Sequence, residues 1–490
     1  MIFSIFAAEF NNKKMDKFIG RDFEINELGA AMKSGRSEFV VVYGRRRVGK
    51  TCLVHHFFNK AYAFYYVGSR GRKKEKQLSD FAKNLQKRAG LSKRPKLSCW
   101  SDAFGALADY LETLPKEGRK VIFFDEMPWI DHKQSDFVES LEYFWNSWVS
   151  MRDDIVFIAC GSATSWMVDK LIDNKGGLHN RITRRINLHP FSLYECEKFV
   201  QAERFSWDRY QIMQMYMILG GVPFYWSLLK PSLSLQQNID ELFFKSRGLL
   251  KDEFAELYHA LFSKADNYVK IVESLAEKSE GMLRSEIERK TSISGGQLTK
   301  ILTNLERCDF IKGFNRIGNR NKLTLYRLVD FYTLFYFKFI QSNRSLDEAF
   351  WMHNFQSHSV EVWEGYSFEL IGLCHIEQLK KALGISGIAT KVSSWRSATP
   401  NSDGPGTQID LVISRVDKIT HLCEMKFCEK PFLVSKDYEE RLRRRADVFS
   451  DETHISRGIV HTLVTPVGLS QGVHSGIIHS VITSKDLFAE

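Results

Sequence analysis

The chain has 490 residues, 44% of them hydrophobic and 26% charged, with a formal net charge of +10. These proportions exclude a disordered chain or a fibre, and at about 150 residues per domain the length suggests about three domains. Eight cysteines are too few for a disulfide scaffold, and no apolar run of about 18 residues announces a membrane helix.

The opening MIFSIFAAEF is apolar but short, has no leading base and runs into Glu9 and Asn11, so it makes a poor signal peptide. Met15 opens MDKFIGRDFEI, which reads as a domain start, with residues 1–14 as an upstream extension or the product of a misassigned start codon. A cytoplasmic protein without membrane contact is expected. Residues 22–35 read as a helix capped by Asp22. Phe39–Tyr43 is a continuous apolar run, as in a buried parallel strand. Tyr62–Val67, Val121–Phe124 and Ile155–Ala159 read as further strands, with helices near 77–90 and 100–114. This alternation predicts a doubly wound α/β domain. From Arg70 to Lys96, eleven bases meet only Glu75 and Asp80. Two readings stay open there: a solvated helix face or a surface for a phosphate backbone.

Gly44-Arg45-Arg46-Arg47-Val48-Gly49-Lys50-Thr51 matches GxxxxGK[ST] between a predicted strand and a predicted helix, which begins with Cys52 close behind. The glycines let backbone amides turn onto phosphates, and the helix N-terminus adds positive potential. Lys50 would reach the β- and γ-phosphates and Thr51 would ligate Mg²⁺. The strand ending in Asp125-Glu126 supplies two carboxylates, Asp125 for Mg²⁺ and Glu126 as general base toward the attacking water. Ser162, after the next strand, is either a turn serine or a sensor of the γ-phosphate. Arg181, Arg184 and Arg185 follow, and one of them would serve the transition state in cis or in trans.

FIGRDFEINEL, YGRRRVGKT, FFDE, ACGSATSWM, the stretch from Arg181 to Ser192 and GGVPFYW together resemble the archaeal-type prokaryotic ATPases, AAA+/STAND-related P-loop proteins, over roughly residues 16–230. The resemblance implies ATP rather than GTP. It places the Gly-Arg segment near the nucleotide base and Gly220-Gly221-Val222-Pro223 in a helical lid.

Beyond residue 190 the pattern turns helical. Leu283–Lys290, a turn at Thr291–Gly295, Gly296–Arg307 and a hairpin over Phe310–Leu328 about Gly318-Asn319 have the order of a winged helix-turn-helix. Residues 281–330 hold ten bases against five acids, with Arg316, Arg320 and Lys322 at the predicted wing tip. DNA and a protein partner are both open to such a module. A Phe/Tyr-rich helix (331–341) and a helix over 360–383 follow, and residues 395–406 read as a loop.

Gln408–Ser414 and Thr420–Phe427 read as paired strands. Glu424 and Lys426 share a face, Cys423, Met425 and Phe427 point inward, and pairing brings Asp410 beside Glu424. Two carboxylates and a lysine so placed can hold a divalent cation at a phosphate. Glu369, on the helix upstream, would complete the set. This constellation resembles the PD-(D/E)xK nuclease superfamily, and residues 360–490 are similar to a C-terminal domain of uncharacterised function often fused to these ATPases. By resemblance Asp410, Glu424 and Lys426 are the catalytic set and Glu369 is auxiliary, although Ile409 stands where many members have proline. Tyr438 and the run Arg441–Arg445 either track nucleic acid or form a solvated face.

The expected architecture is therefore a P-loop ATPase domain (1–190), a helical lid (191–264), a winged helix-turn-helix (265–345) and a restriction-endonuclease-like α/β domain (346–490). The expected function is Mg²⁺-dependent ATP hydrolysis coupled to DNA binding or metal-dependent DNA cleavage, with a homo-oligomer or protein partner open. The competing readings are a STAND-like switch with an inert C-terminal fold and a transcription regulator that never cuts.

Overall fold

The computed structural model describes residues 18–132, 135–173, 176–262, 264–315, 317, 324–397, 407–455 and 458–490. Met15, the wing-tip bases Arg316, Arg320 and Lys322, the turn at Gly318-Asn319, and loop residues 398–406 lie outside the described residues. The chain divides into two compact units, Met1–His189 and Pro190–Glu490.

In the first unit, helix α1 (Asp22–Lys33) leads to β1 (Glu38–Tyr43), α2 (Lys50–Phe57), β2 (Phe64–Val67), α3 (Lys74–Ala89) and α4 (Trp100–Glu112). Then come β3 (Lys120–Asp125), α5 (Phe137–Ser147), β4 (Ile155–Gly161) and β5 (Arg184–Asn187). The five strands are parallel, in the order β2-β3-β4-β1-β5. Both faces are buried, which explains the unbroken apolar runs. Val40 and Val42 pack on one face with Leu53 and Phe123, while Phe39 and Val41 pack on the other with Phe124 and Phe157. Trp100 is fully buried, its ring 5.0 Å from Phe137 and 5.7 Å from Phe81. Its indole N–H has no hydrogen-bond partner.

Two details differ from the sequence reading. Asp22 is the first helical residue, and Arg21 takes the cap position in the left-handed region (φ 68). Its guanidinium donates instead to the carbonyls of Val48 (3.2 Å) and His189 (2.8 Å). The edge strand β5 is too polar to announce itself. Arg184 within it pairs with Glu27 (3.0 Å) and Glu38 (3.7 Å), so it serves the fold rather than the surface.

The second unit begins with helices that include α6 (Leu193–Ala202), α7 (Arg209–Leu219), α8 (Glu253–Leu261) and α9 (Ala265–Ala276). Next come β6 (Met282–Leu283), α10 (Arg284–Thr291), α11 (Gly295–Arg307), β7 (Ile311–Asn315) and β8 (Thr324–Leu328). The three strands form an antiparallel sheet in the order β6-β8-β7. Helices α12 (His358–Cys374) and α13 (Ile376–Ala382) precede β9 (Thr390–Arg396), β10 (Gln408–Arg415) and β11 (Thr420–Met425). Helix α14 (Lys436–Thr453), β12 (Ile459–Val464) and β13 (Ile478–Ile482) complete a second five-stranded sheet, β13-β12-β11-β10-β9. Its β9-β10-β11 part is antiparallel and its β11-β12-β13 part parallel. One apolar cluster joins residues from Phe191 to Phe488. Among the described residues no helix is long and apolar enough to cross a membrane.

His375 links distant parts of this unit. It is buried, and its Nε2 accepts from the Leu193 amide (3.1 Å) while Nδ1 faces the Ile371 carbonyl (2.8 Å). A donor on one side and an acceptor on the other require the neutral ring protonated on Nδ1. Burial pushes its pKa down to about 4, while the Ile371 carbonyl acts the other way.

Between pH 6.5 and about 4 the unfolded chain binds a proton that folded His375 refuses, so stability is full above 6.5 and falls as the pH is lowered. Denaturant midpoints measured from pH 7 to pH 4 should show this slope, and His375→Asn should flatten it. In the first unit, Trp100→Ala should cost about 3–5 kcal/mol in urea unfolding. Trp100→Phe should cost far less, because the indole N–H has no bond to lose.

Candidate functional site

In the first unit, the order β3-β4-β1 brings three strand ends together: Tyr43 lies beside Gly161, and Phe124 beside Ala159. The chain leaves β1 through Gly44 (φ 139), where a Cβ would stand 2.2 Å from the Leu188 carbonyl oxygen, so only glycine fits. It then turns through Arg47 (φ 72) and Gly49 (φ 91) and enters α2 at Lys50. Lys50 is 6% exposed, and its Nζ donates to the carbonyls of Gly44 (3.0 Å) and Arg45 (2.8 Å). Val48 is buried in the apolar core. Arg45 is buried, Arg46 and Arg47 are half-buried and Cys52 is exposed.

Thr51 Oγ1 donates to Asp125 Oδ2 at 2.9 Å. Burial and then the neighbouring Glu126 push the Asp125 carboxyl up, while Thr51 and the Glu126 amide (2.9 Å) hold its oxygens. Glu126 sits in the left-handed region (φ 47), a strained conformation typical of functional sites. Its carboxylate accepts from Ser162 Oγ at 3.0 Å. A loop that excludes side chains, a buried lysine, and a hydroxyl bound to a carboxylate are the donor set that a magnesium nucleotide requires. Arg181 and Arg185 are exposed.

Of the bases from Arg70 to Lys96, several are spent internally. Arg70 lies 5.2 Å over the Trp129 ring, Arg72 pairs with Asp80, Lys74 pairs with Asp136 (2.6 Å), and Arg88 donates to the Ala63 carbonyl (3.1 Å). Lys73, Lys83, Lys87, Lys93, Arg94 and Lys96 are exposed and have no ion-pair partner among the described residues.

In the second unit, the pairing of Leu411 with Cys423 sets Asp410 opposite Glu424. The β9–β10 register shifts between Ile409 and Val412, the stretch that carries Asp410. Glu424 is 7% exposed and its two oxygens are fully engaged. Oε1 takes the Tyr438 hydroxyl (2.6 Å) and Lys426 Nζ (3.0 Å), and Oε2 takes Arg445 (2.6 Å). Burial works against its ionisation, yet Lys426, Arg445 and Tyr438 outweigh burial and hold it below the usual carboxylate range. Glu369, on α12, is pushed up by burial and then by Asp410. Asp410 is pushed up by burial and then by Glu424. Among the described residues, no three His, Cys, Asp or Glu side chains are gathered so as to hold a metal ion. In kind, the donor set of Asp410, Glu424 and Glu369 suits a hard divalent cation. As arranged, the chain's own cations already compensate it.

Tyr438 and Arg445, which the sequence left between two readings, both turn into this cluster. Arg327 on β8 was missed as a site residue: it is 2% exposed and its Nη2 lies 3.5 Å from Glu369 Oε2. Its only signal was a charge inside the strand pattern Thr-Leu-Tyr-Arg-Leu.

Residues 18–229 match a family described as an ATPase domain predominantly from Archaea. An uncharacterized protein of Methanocaldococcus jannaschii is 24% identical over 440 residues, 89% of this chain and 93% of that protein. Among solved structures, a Walker-type ATPase of Pyrococcus abyssi aligns with TM-score 0.48 and 18% identity over 66% of this chain and 96% of its own. The ORC2 protein of Aeropyrum pernix, in ADPNP–ADP complexes, aligns with TM-score 0.44 and 14% identity over 73% and 96%. With its loop, lysine and paired carboxylates in place, the stretch 18–229 is an archaeal-type P-loop ATPase domain.

Proposed function

We propose that this chain is a Mg²⁺-dependent ATPase that couples its nucleotide state to DNA binding or to metal-dependent DNA cleavage by residues 346–490. The observation that carries the first half is the Thr51–Asp125 bond, with Glu126 held by Ser162 beside it. Lys50 binds the β- and γ-phosphates, and Thr51 and Asp125 hold the magnesium ion, which supplies charge neutralisation at the phosphates when bound. Glu126 orients a water and accepts its proton, and Ser162 keeps the carboxylate in place until that water is engaged.

Three features support a DNA-directed role. Six exposed bases without an ion-pair partner among the described residues, Lys73 to Lys96, lie just before, on and after α3. The order α10, α11, β7, β8 is that of a winged helix-turn-helix. Asp410 stands opposite Glu424 with Lys426 at 3.0 Å from it, the residue types of a PD-(D/E)xK site, where a bound cation would supply charge at a phosphodiester. A second reading, an ATP-driven switch with an inert C-terminal fold, is favoured by one observation: both Glu424 oxygens are already taken by Tyr438, Lys426 and Arg445.

In a coupled ATPase assay, Lys50→Ala and Gly44→Ala should abolish nucleotide binding. Glu126→Gln should retain binding and lose about 100-fold or more in kcat. Ordinary turnover in Glu126→Gln would remove the carboxylate from the proposed role.

Plasmid and linear DNA should be cut with Mg²⁺ or Mn²⁺, and Glu424→Ala with Lys426→Ala should stop it. Loss of cutting in Lys50→Ala would tie it to ATP, and no cutting under any condition, with hydrolysis intact, would leave the switch. The log–log salt slope of DNA binding should shrink by about 2 when Lys83 and Lys87 become alanine. An unchanged slope would take α3 out of the interface.

A further inference from the structure

The acidic cluster of the second unit holds three carboxylates, Glu369, Asp410 and Glu424, and three cations, Arg327, Lys426 and Arg445. Lys426 and Arg445 stand directly on Glu424. Both belong to the same fold as that carboxylate, one at the end of β11 and one on α14. Arg327 is different, because it comes from β8, in the helix–helix–hairpin segment that precedes this fold. It is the cation set on Glu369, and its charge also acts on Asp410.

Arg327 is placed there at a cost. It is 2% exposed, and its Nε has no hydrogen-bond partner among the described residues. A guanidinium buried with a donor unmet is retained only where anions compensate it. The chain entering β6 is fitted closely against it: a Cβ on Gly281 would come within 2.7 Å of the Arg327 Cγ. Lys312, directly opposite Arg327 across the β7–β8 pair, donates to the Leu373 carbonyl at 3.5 Å. The two bases thus clasp α12, the helix that carries Glu369.

We propose that Arg327 is the counter-cation of the Glu369–Asp410 pair and excludes a divalent cation from it, so that the docked hairpin and the metal-loaded site are alternative states. The proposal rests on the reading that Asp410 and Glu424 form a metal site. A divalent cation entering this pair would be repelled by the guanidinium held 3.5 Å from Glu369. Metal binding therefore expels the guanidinium and loosens the hairpin, and anything that draws the hairpin away, such as a nucleic-acid partner, admits the metal. The coupling is reciprocal.

The test is Mn²⁺ binding to the full-length, nucleotide-free protein, read as loss of the free-Mn²⁺ EPR signal. Arg327→Gln should bind Mn²⁺ about tenfold or more tightly than wild type, and adding Asp410→Asn should remove that gain. Arg327→Lys, which keeps the charge, should behave as wild type. If wild type and Arg327→Gln bind equally tightly and Asp410→Asn abolishes both, the metal site stands and the exclusion by Arg327 is wrong. If neither shows Asp410-dependent binding, the metal reading falls and takes this inference with it. Tight binding by Arg327→Lys would also overturn it, since packing rather than charge would then be at work. Should Arg327→Gln fail to fold, hydrogen exchange on the wild type decides. Saturating Mn²⁺ should speed exchange in 311–315 and 324–328, and unchanged protection there would refute the proposal.

Discussion

A parallel strand buried on both faces leaves its chemistry only one place to go, which is its end. In the first unit Val40, Val42, Phe123 and Ile158 fill one face of the sheet, and Phe39, Val41, Phe124 and Phe157 fill the other. Polar groups therefore gather where β1, β3 and β4 stop. The strand order sets those three ends side by side, and this brings the loop, the two carboxylates and Ser162 close enough for the Thr51–Asp125 and Ser162–Glu126 bonds to form. The site is a consequence of the sheet order, as the general rule for open α/β sheets requires.

The second unit solves a different problem. Of its carboxylates Glu424 is buried and Glu369 and Asp410 are half-buried, where unpaired charge is costly. The chain answers with cations drawn from three separate segments: β8, the end of β11, and α14. The result is a polar cluster whose members depend on one another. Removing Arg327 takes from Glu369 the cation set on it, while removing Glu369 strands a buried guanidinium. Such a cluster registers the position of every element that contributes to it.

The sequence showed the first unit well, because strand burial writes itself as apolar runs and the phosphate loop has a fixed spacing. Lys50, Thr51, Asp125 and Glu126 were legible from a strand, a turn and a strand tip. β5 was not, since Arg184 and Arg185 broke the apolar pattern at an edge. In the second unit the Asp410–Glu424 pairing followed from the alternation of two strands and the short turn between them. The capture of Glu424 by Arg445 was hidden, because a run of arginines on a helix reads the same whether one faces inward or none does. Arg327 was hidden for a stronger reason: its burial depends on α12 docking against the hairpin, and no local pattern encodes that. β9, β12 and β13 escaped because polar residues such as Ser393 and His461 interrupt their apolar pattern.

The bond from the Leu193 amide to His375 spans 182 residues. During synthesis the first unit has its whole sheet once residue 187 has emerged, and it can fold as a unit behind the ribosome. The next helix cannot. Its first amide waits for an acceptor that is made much later, and the apolar cluster it joins extends to Phe488. Translation thus delivers the nucleotide-binding unit early and holds the remainder unfinished until the later segments have been made. A polypeptide truncated anywhere between would carry a folded P-loop domain trailing an exposed apolar segment, a species for chaperones and proteases to recognise.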